Sequence, residues 1–169
     1  MKASGTRNLS TSLSRRDRFA LFLEHEGNKR LRSLGTALYR LTGGRITPRG
    51  RDVLLLSTRG RRSGRDHTVM LQGFRDGETL VLAAVNAGRP SDPDWLRNLE
   101  ATPEATVELK GRTFRVRAER LSAEEAASWW PRILQRAPSY DLFLKASGRR
   151  VPLVRLVPIG PGEGAPHSS

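Results

Sequence analysis

Residues 53–98 read VLLLSTRGRRSGRDHTVMLQGFRDGETLVLAAVNAGRPSDPDWLRN, and this stretch decides the fold. Val53–Ser57 is almost wholly apolar, which predicts a strand buried on both faces. Thr68–Gly73 predicts a shorter, mixed strand and Thr79–Val85 a third. The first two are joined by a basic turn bounded by glycines, Gly60-Arg61-Arg62-Ser63-Gly64. Arg75-Asp76-Gly77 joins the next pair as a hairpin, with glycine placed to take positive φ. The third strand runs into a loop of small residues, Ala83 to Gly88. Asp92-Pro93 then opens a short helix, Asp as its cap and Pro at its first position, which carries Trp95 and Asn98 on one face.

Upstream, residues 1–13 are rich in Ser, Thr and Asn and are expected to be disordered. Residues 14–51 are expected to form a basic helical arm. Ser14 and Asp17 resemble a capping box, and Phe19, Phe22 and Leu23 follow at helical spacing up to a break at Gly27-Asn28. A second helix carries Leu31, Leu34, Leu38 and Leu41 on one face, with Arg30, Arg32 and Arg40 off that stripe, and stops at Gly43-Gly44. Two readings stand. Either the leucines pack on the domain and the arginines are solvated, or residues 14–42 lie on an anionic membrane surface as a basic amphipathic segment.

Downstream, Ala105–Leu109 and Thr113–Arg120 form a hairpin around Lys110-Gly111. Ser122 and Glu125 make a capping box for a helix through Trp129 and Trp130, and Pro138 starts a short helix with Tyr140, Leu142 and Phe143. Val151–Val157 is the last strand, and 159–169 is expected to be a disordered tail. Six short strands with a few inserted helices predict a small antiparallel barrel over 52–158, not a βαβ sheet.

Composition narrows the chemistry. A chain of 169 residues suits one domain with a genuine core, and the absence of cysteine excludes disulfides and thiolate chemistry. His25, His67 and His167 lack metal-ligand spacing, so no metal site is expected. The net charge is +13, and residues 1–51 hold 12 basic against 3 acidic residues, or +9 of it. No apolar run approaches the roughly 20 residues that span a bilayer, and no apolar leader is evident, so the expected location is the cytoplasm, peripheral on the inner membrane face if the arm docks there.

Arginines beside free turn amides favour phosphate, though such a turn is also a common exposed hairpin tip. Trp95 suits a core anchor or a wall for a flat ring. Tyr140 can donate to a substrate carbonyl or satisfy itself at a core edge, and His67 is a lone histidine on a strand, which is usually structural.

The succession LYRLTGGRI, LLLSTRGRRSGR, FRDGETLVLAAVNAG, DPDWLRNLEATPEATVEL, WWPRILQRAPSYDLF and VPLVRLVP resembles the deazaflavin-dependent nitroreductase family from about Leu38 to Pro158. That resemblance implies an α+β fold: a split antiparallel β-barrel like those of flavin reductases and FMN-binding proteins, with N-terminal and short inserted helices. It implies coenzyme F-420, an 8-hydroxy-5-deazaflavin, as cofactor, and hydride transfer to a small electrophile such as a quinone, enone or nitro compound. Arg61, Arg62 and Ser63 would hold its phosphate and acidic tail. Ala83, Ala84, Ala87 and Gly88 would lie against its ring, with Trp95 and Asn98 beside it. Tyr140, Ala137 and Phe143 would face substrate. This chain has His67 where the family commonly has arginine, Met70 for proline, Val85 for serine, Asn86 for lysine, and Ala137 and Phe143 for tyrosines. Arg65 and Arg89 are near enough in sequence to restore the lost charge. The alternative is a non-catalytic barrel whose basic arm docks on membrane or nucleic acid; the reductase reading expects no nucleic-acid partner. Oligomeric state stays open.

Overall fold

Side chains that alternate between the two faces of each strand let six antiparallel strands close into a barrel. In a computed structural model that describes residues 29–44 and 52–161, these are β1 (Asp52–Arg59), β2 (Asp66–Asp76), β3 (Thr79–Ala83), β4 (Glu104–Leu109), β5 (Arg112–Arg120) and β6 (Leu153–Pro161). Their order around the barrel is β1-β2-β3-β6-β5-β4, every pair antiparallel. Leu54 and Leu56, Leu80 and Leu82, Val107, Val116 and Leu156 meet inside. Their strand neighbours point outward and are buried too, because helices cover that side. Val53 and Leu55 lie beneath α1 (Lys29–Leu41), and Val81 and Ala83 lie beneath α3 (Ala123–Arg136) and α4 (Tyr140–Ser147). The apolar run of β1 is therefore buried on both faces, as its sequence predicts.

Between β3 and β4, α2 (Asp94–Ala101) sets Trp95, Leu96 and Leu99 into the interior cluster. The Ser122–Glu125 capping box is formed, with both reciprocal hydrogen bonds. Lys110 and Gly111 both take positive φ, the primed turn whose twist suits a two-residue hairpin.

Several expectations change. Strand β2 is longer than predicted, since Ser57 Oγ and Thr68 Oγ1 meet at 2.8 Å and the pairing carries on to Arg59–Asp66. Strand β6 runs to Pro161, so the barrel does not stop at 158 and the tail does not begin at 159; Phe114 pairs with Pro161. Pro93, not Asp92, is the cap of α2, because the Asp92 carboxylate is drawn to Arg149.

The largest correction concerns α1. The Tyr39 Oη donates to the Val53 carbonyl at 2.8 Å, with the Glu108 carbonyl 3.2 Å away, and the Arg40 guanidinium pairs with the Glu108 carboxylate. These contacts turn the helix so that Leu34, Leu38 and Leu41 are 67, 55 and 85 % exposed. Leu34, Leu38 and Leu41 do not pack on the described part of the domain. Burial raises the Tyr39 phenol above its ordinary range, a Lys110 backbone hydrogen bond opposes this, and the Glu108 and Asp52 carboxylates add to it. Residues 1–28, with the first helix of the expected arm, lie outside the described residues, as do 45–51 and 162–169.

Candidate functional site

Strands β1 and β2 project the basic turn over the N-terminal end of α2. The turn, α2 and the facing strand ends enclose a cavity of about 360 Å³ lined by Thr58, Gly60, Arg61, Arg62, Ser63, His67, Thr68, Val69, Asp94, Trp95 and Asn98. Gly60 makes the concavity possible: a Cβ there would stand 2.6 Å from Ser63 Oγ and 2.7 Å from the His67 ring.

Most of the turn's amides are already engaged. Gly60 N donates to Arg65 O, Gly64 N to Gly60 O, Arg65 N to Ser63 Oγ, and Arg61 N to Asn98 Oδ1. Among the described residues, the Arg62 and Ser63 amides have no internal acceptor. The two arginines also divide. Arg61 gives its guanidinium to Asp94 Oδ1 at 3.0 Å and Asn98 Oδ1 at 3.1 Å. Arg62 is exposed at the rim and meets no carboxylate among the described residues. Two adjacent open amides, an unpaired guanidinium and the Ser63 hydroxyl, which lies 3.0 Å from His67 Nε2, form a donor set suited to a phosphate. This set fits the anionic part of the coenzyme.

Asn98 is buried and committed to structure. Its Oδ1 accepts from Arg61 twice, and its Nδ2 donates to Thr58 Oγ1 at 3.1 Å. Trp95 is both things the sequence allows, a member of the interior cluster and part of the cavity lining.

The proposed ring wall is organised separately. Ala83, Ala84 and Asn86 are buried, and Ala87 and Gly88 are half-buried; none lines the cavity of the basic turn. Asn86, Ala87 and Gly88 all have positive φ, at 46, 52 and 80°. Asn86 Nδ2 donates to Ser91 O, so the residue standing where the family has lysine stabilises the loop on itself.

Other expected site residues lie elsewhere. Met70 packs outside the barrel against Tyr39, Val53 and Leu55. Arg65 and Arg89 are exposed and do not line the cavity, so the charge they were expected to restore is not placed there. Ala137, Tyr140 and Phe143 were expected to face substrate but are 0, 2 and 4 % exposed. They belong to the apolar cluster beneath α3 and α4, where Tyr140 stands edge-on to Phe74 and to Phe143 at 5.8 Å. Sequence reasoning missed Thr58, Asp94 and Arg149, which hold the turn and the loop. The acid next to Trp95 at a helix start was a visible signal for Asp94. Arg149 had none, because it meets the loop only through the fold.

The six-stranded antiparallel barrel with its basic β1–β2 turn is a split-barrel fold. A family model described as F420H2-dependent quinone reductase matches residues 26–158. A curated F420H2-dependent quinone reductase of Mycobacterium tuberculosis is 30 % identical over 141 residues, covering 80 % of this chain and 95 % of that one. A solved F420-H2 dependent reductase superimposes with a TM-score of 0.56 at 25 % identity, over 62 % of this chain and 92 % of that one. A second solved chain, described as a domain-swapped dimer, shares the fold with a TM-score of 0.59 at 23 % identity, over 73 and 93 % of the two chains. The chain belongs to the F420H2-dependent quinone reductase family.

Proposed function

We propose that this protein reduces quinones with reduced coenzyme F-420, and that enones and nitro compounds are its lesser acceptors. The observation that carries the reading is the pair of open amides at Arg62 and Ser63 beside the unpaired Arg62 guanidinium. When bound, the coenzyme supplies the hydride, and the quinone takes that hydride and one proton to become a quinol.

The chain's own part is to bind, orient and exclude water. Arg62, Ser63 and the two amides hold the phosphate. Arg61, fastened by Asp94 and Asn98, keeps the turn in the conformation that exposes those donors. The backbone of Ala83–Gly88 supports the ring, and the buried Ala137, Tyr140 and Phe143 back that support from behind: Phe143 Cα lies 3.5 Å from where a Gly88 Cβ would be. A fixed ring face orients the donor carbon toward the acceptor, which is where a protein contributes most to hydride transfer.

Fluorescence titration of the purified chain with the coenzyme tests this. We expect saturable binding that Arg62→Ala weakens by about tenfold at low salt and less at high salt, because screening already reduces the charge contribution. Absence of binding at tens of micromolar coenzyme would refute the reading.

The outward leucines of α1 favour a second, compatible reading: the protein works peripherally on an anionic membrane, where lipid-soluble quinones reside. Lys29, Arg30 and Arg32 precede those leucines in the sequence. Sedimentation with vesicles containing anionic lipid, for the whole chain and for Leu34→Ser with Leu38→Ser, tests it; equal pelleting of both would remove α1 as the anchor.

A further inference from the structure

The loop that ends β3 has an unusual backbone. Three successive residues, Asn86, Ala87 and Gly88, take left-handed φ, and two of them carry a Cβ. Such a conformation is unfavourable for L-residues and persists only where its surroundings impose it. Inside the loop, Gly88 N donates to Val85 O and Arg89 N to Asn86 O, while Asn86 Nδ2 reaches Ser91. These bonds shape the loop, and at its start Ala84 N donates to Pro152 O at 3.0 Å.

A side-chain anchor for both ends of the loop comes from a residue about 60 positions later. Gly148 closes α4 in a left-handed C-cap, φ 60°, and the chain turns back so that Arg149 lies against the loop. Its guanidinium donates through Nη2 to Ala84 O at 2.6 Å, through Nε to Arg89 O at 3.3 Å, and through Nη1 to Asp92 Oδ1 at 2.7 Å. The three acceptors bracket the left-handed residues on both sides. The Arg149 side chain is only 16 % exposed, so these charge-assisted bonds are shielded from water. A planar fork of donors can serve three divergent acceptors at once; a lysine ammonium on a flexible stem cannot hold the same geometry.

Asp92 also has a position that matters. Two residues on, Asp94 holds Arg61 of the basic turn. The segment Asp92-Pro93-Asp94 is thus fastened to the ring loop through Arg149 and to the phosphate turn through Arg61, with proline stiffening the link between.

We propose that Arg149 is a positioning residue. It holds the Ala84–Arg89 loop in its left-handed form and, through Asp92, sets the distance between the loop that supports the deazaflavin ring and the turn that binds the phosphate. This rests on the cofactor reading above and adds to it a residue with no place in the cavity lining.

The test uses the full chain and two probes: coenzyme F-420, and the deazaflavin riboside without phosphate or tail. Arg149→Lys and Arg149→Ala are expected to weaken binding of both probes by roughly tenfold or more, the loss expected of removing hydrogen bonds to a charged group. Arg62→Ala is expected to weaken the coenzyme alone. Added guanidinium ion at millimolar concentration, well below denaturing levels, should restore riboside binding to Arg149→Ala and leave the riboside binding of Arg62→Ala, already like wild type, unchanged. Amide hydrogen exchange without any probe supplies an independent readout: protection at residues 84–92 should fall in Arg149→Lys while that of β1 and β4 is kept. Unchanged riboside binding and unchanged loop protection in Arg149→Lys would overturn the proposal, whatever the coenzyme does. Failure of the wild type to bind either probe would overturn the cofactor reading, and faster loop exchange would then support only the clamp.

Discussion

The barrel is covered by helices on two outer faces, and the two are covered on different terms. Over β3 and β6, α3 and α4 turn their apolar sides inward, and Trp129, Ile133, Tyr140 and Phe143 merge with Phe74, Val81 and Leu153 in one cluster. Over β1, α1 turns Leu34, Leu38 and Leu41 outward, and among the described residues it is held by the Tyr39 ring and hydroxyl and by the Arg40–Glu108 ion pair. An apolar stripe at helical spacing reports that a helix forms. It does not report which side faces the protein, because the Tyr39 hydroxyl bond and the Arg40–Glu108 ion pair orient α1 independently of the leucines. Tyr39 is the informative residue: it is both apolar enough to cover Val53 and Leu55 and polar enough to bond their strand.

This contrast can be broken or sharpened by measurement, beginning with the largest expected effect. Ile133→Ala empties a fully buried site and should cost about 2–5 kcal/mol in urea unfolding. Tyr39→Phe keeps the packing and loses the hydroxyl bond, and should cost about 1–2 kcal/mol, since the Val53 carbonyl is left short of a donor. If the two losses are equal, α1 is as integral as α3 and the contrast falls. Next comes pH. The Tyr39 phenol is raised in the fold, so its contribution is complete below its ordinary value near 10 and is lost as pH climbs through the higher folded value. The urea midpoint of wild type should therefore fall toward that of Tyr39→Phe as pH climbs above about 10. Smallest is Leu38→Ser with Leu41→Ser, which should shift stability by no more than about 0.5 kcal/mol. A loss of several times that would mean the leucines are covered by another part of the chain or a second copy.

Much of the fold was legible because strand period and turn chemistry are local. The β1–β2 turn, the Lys110-Gly111 hairpin and the Ser122 capping box each involve residues within a few positions of one another. The basic turn was legible as a composition, but not the division of labour within it. That Arg61 is occupied and Arg62 free depends on Asp94 and Asn98, more than thirty residues away. The placement of Tyr140, Ala137 and Phe143 illustrates the same point: resemblance supplied their register, and only packing against Phe74 shows that they are covered. Arg149 was invisible for the most general reason. Its three acceptors, Arg89 O, Asp92 Oδ1 and Ala84 O, lie 60, 57 and 65 positions away in the chain.

The strand order has a consequence for synthesis. Strand β6 is the last made, yet it lies between β3 and β5, so the barrel cannot close until Pro161 has left the ribosome. Until then β3, which carries the ring loop, and β5 each present an unpaired edge, and such edges invite association with other chains. A nascent or truncated chain ending before Leu153 should therefore need a chaperone to stay dispersed, while the finished protein, with every described strand paired on both sides, has no edge to offer.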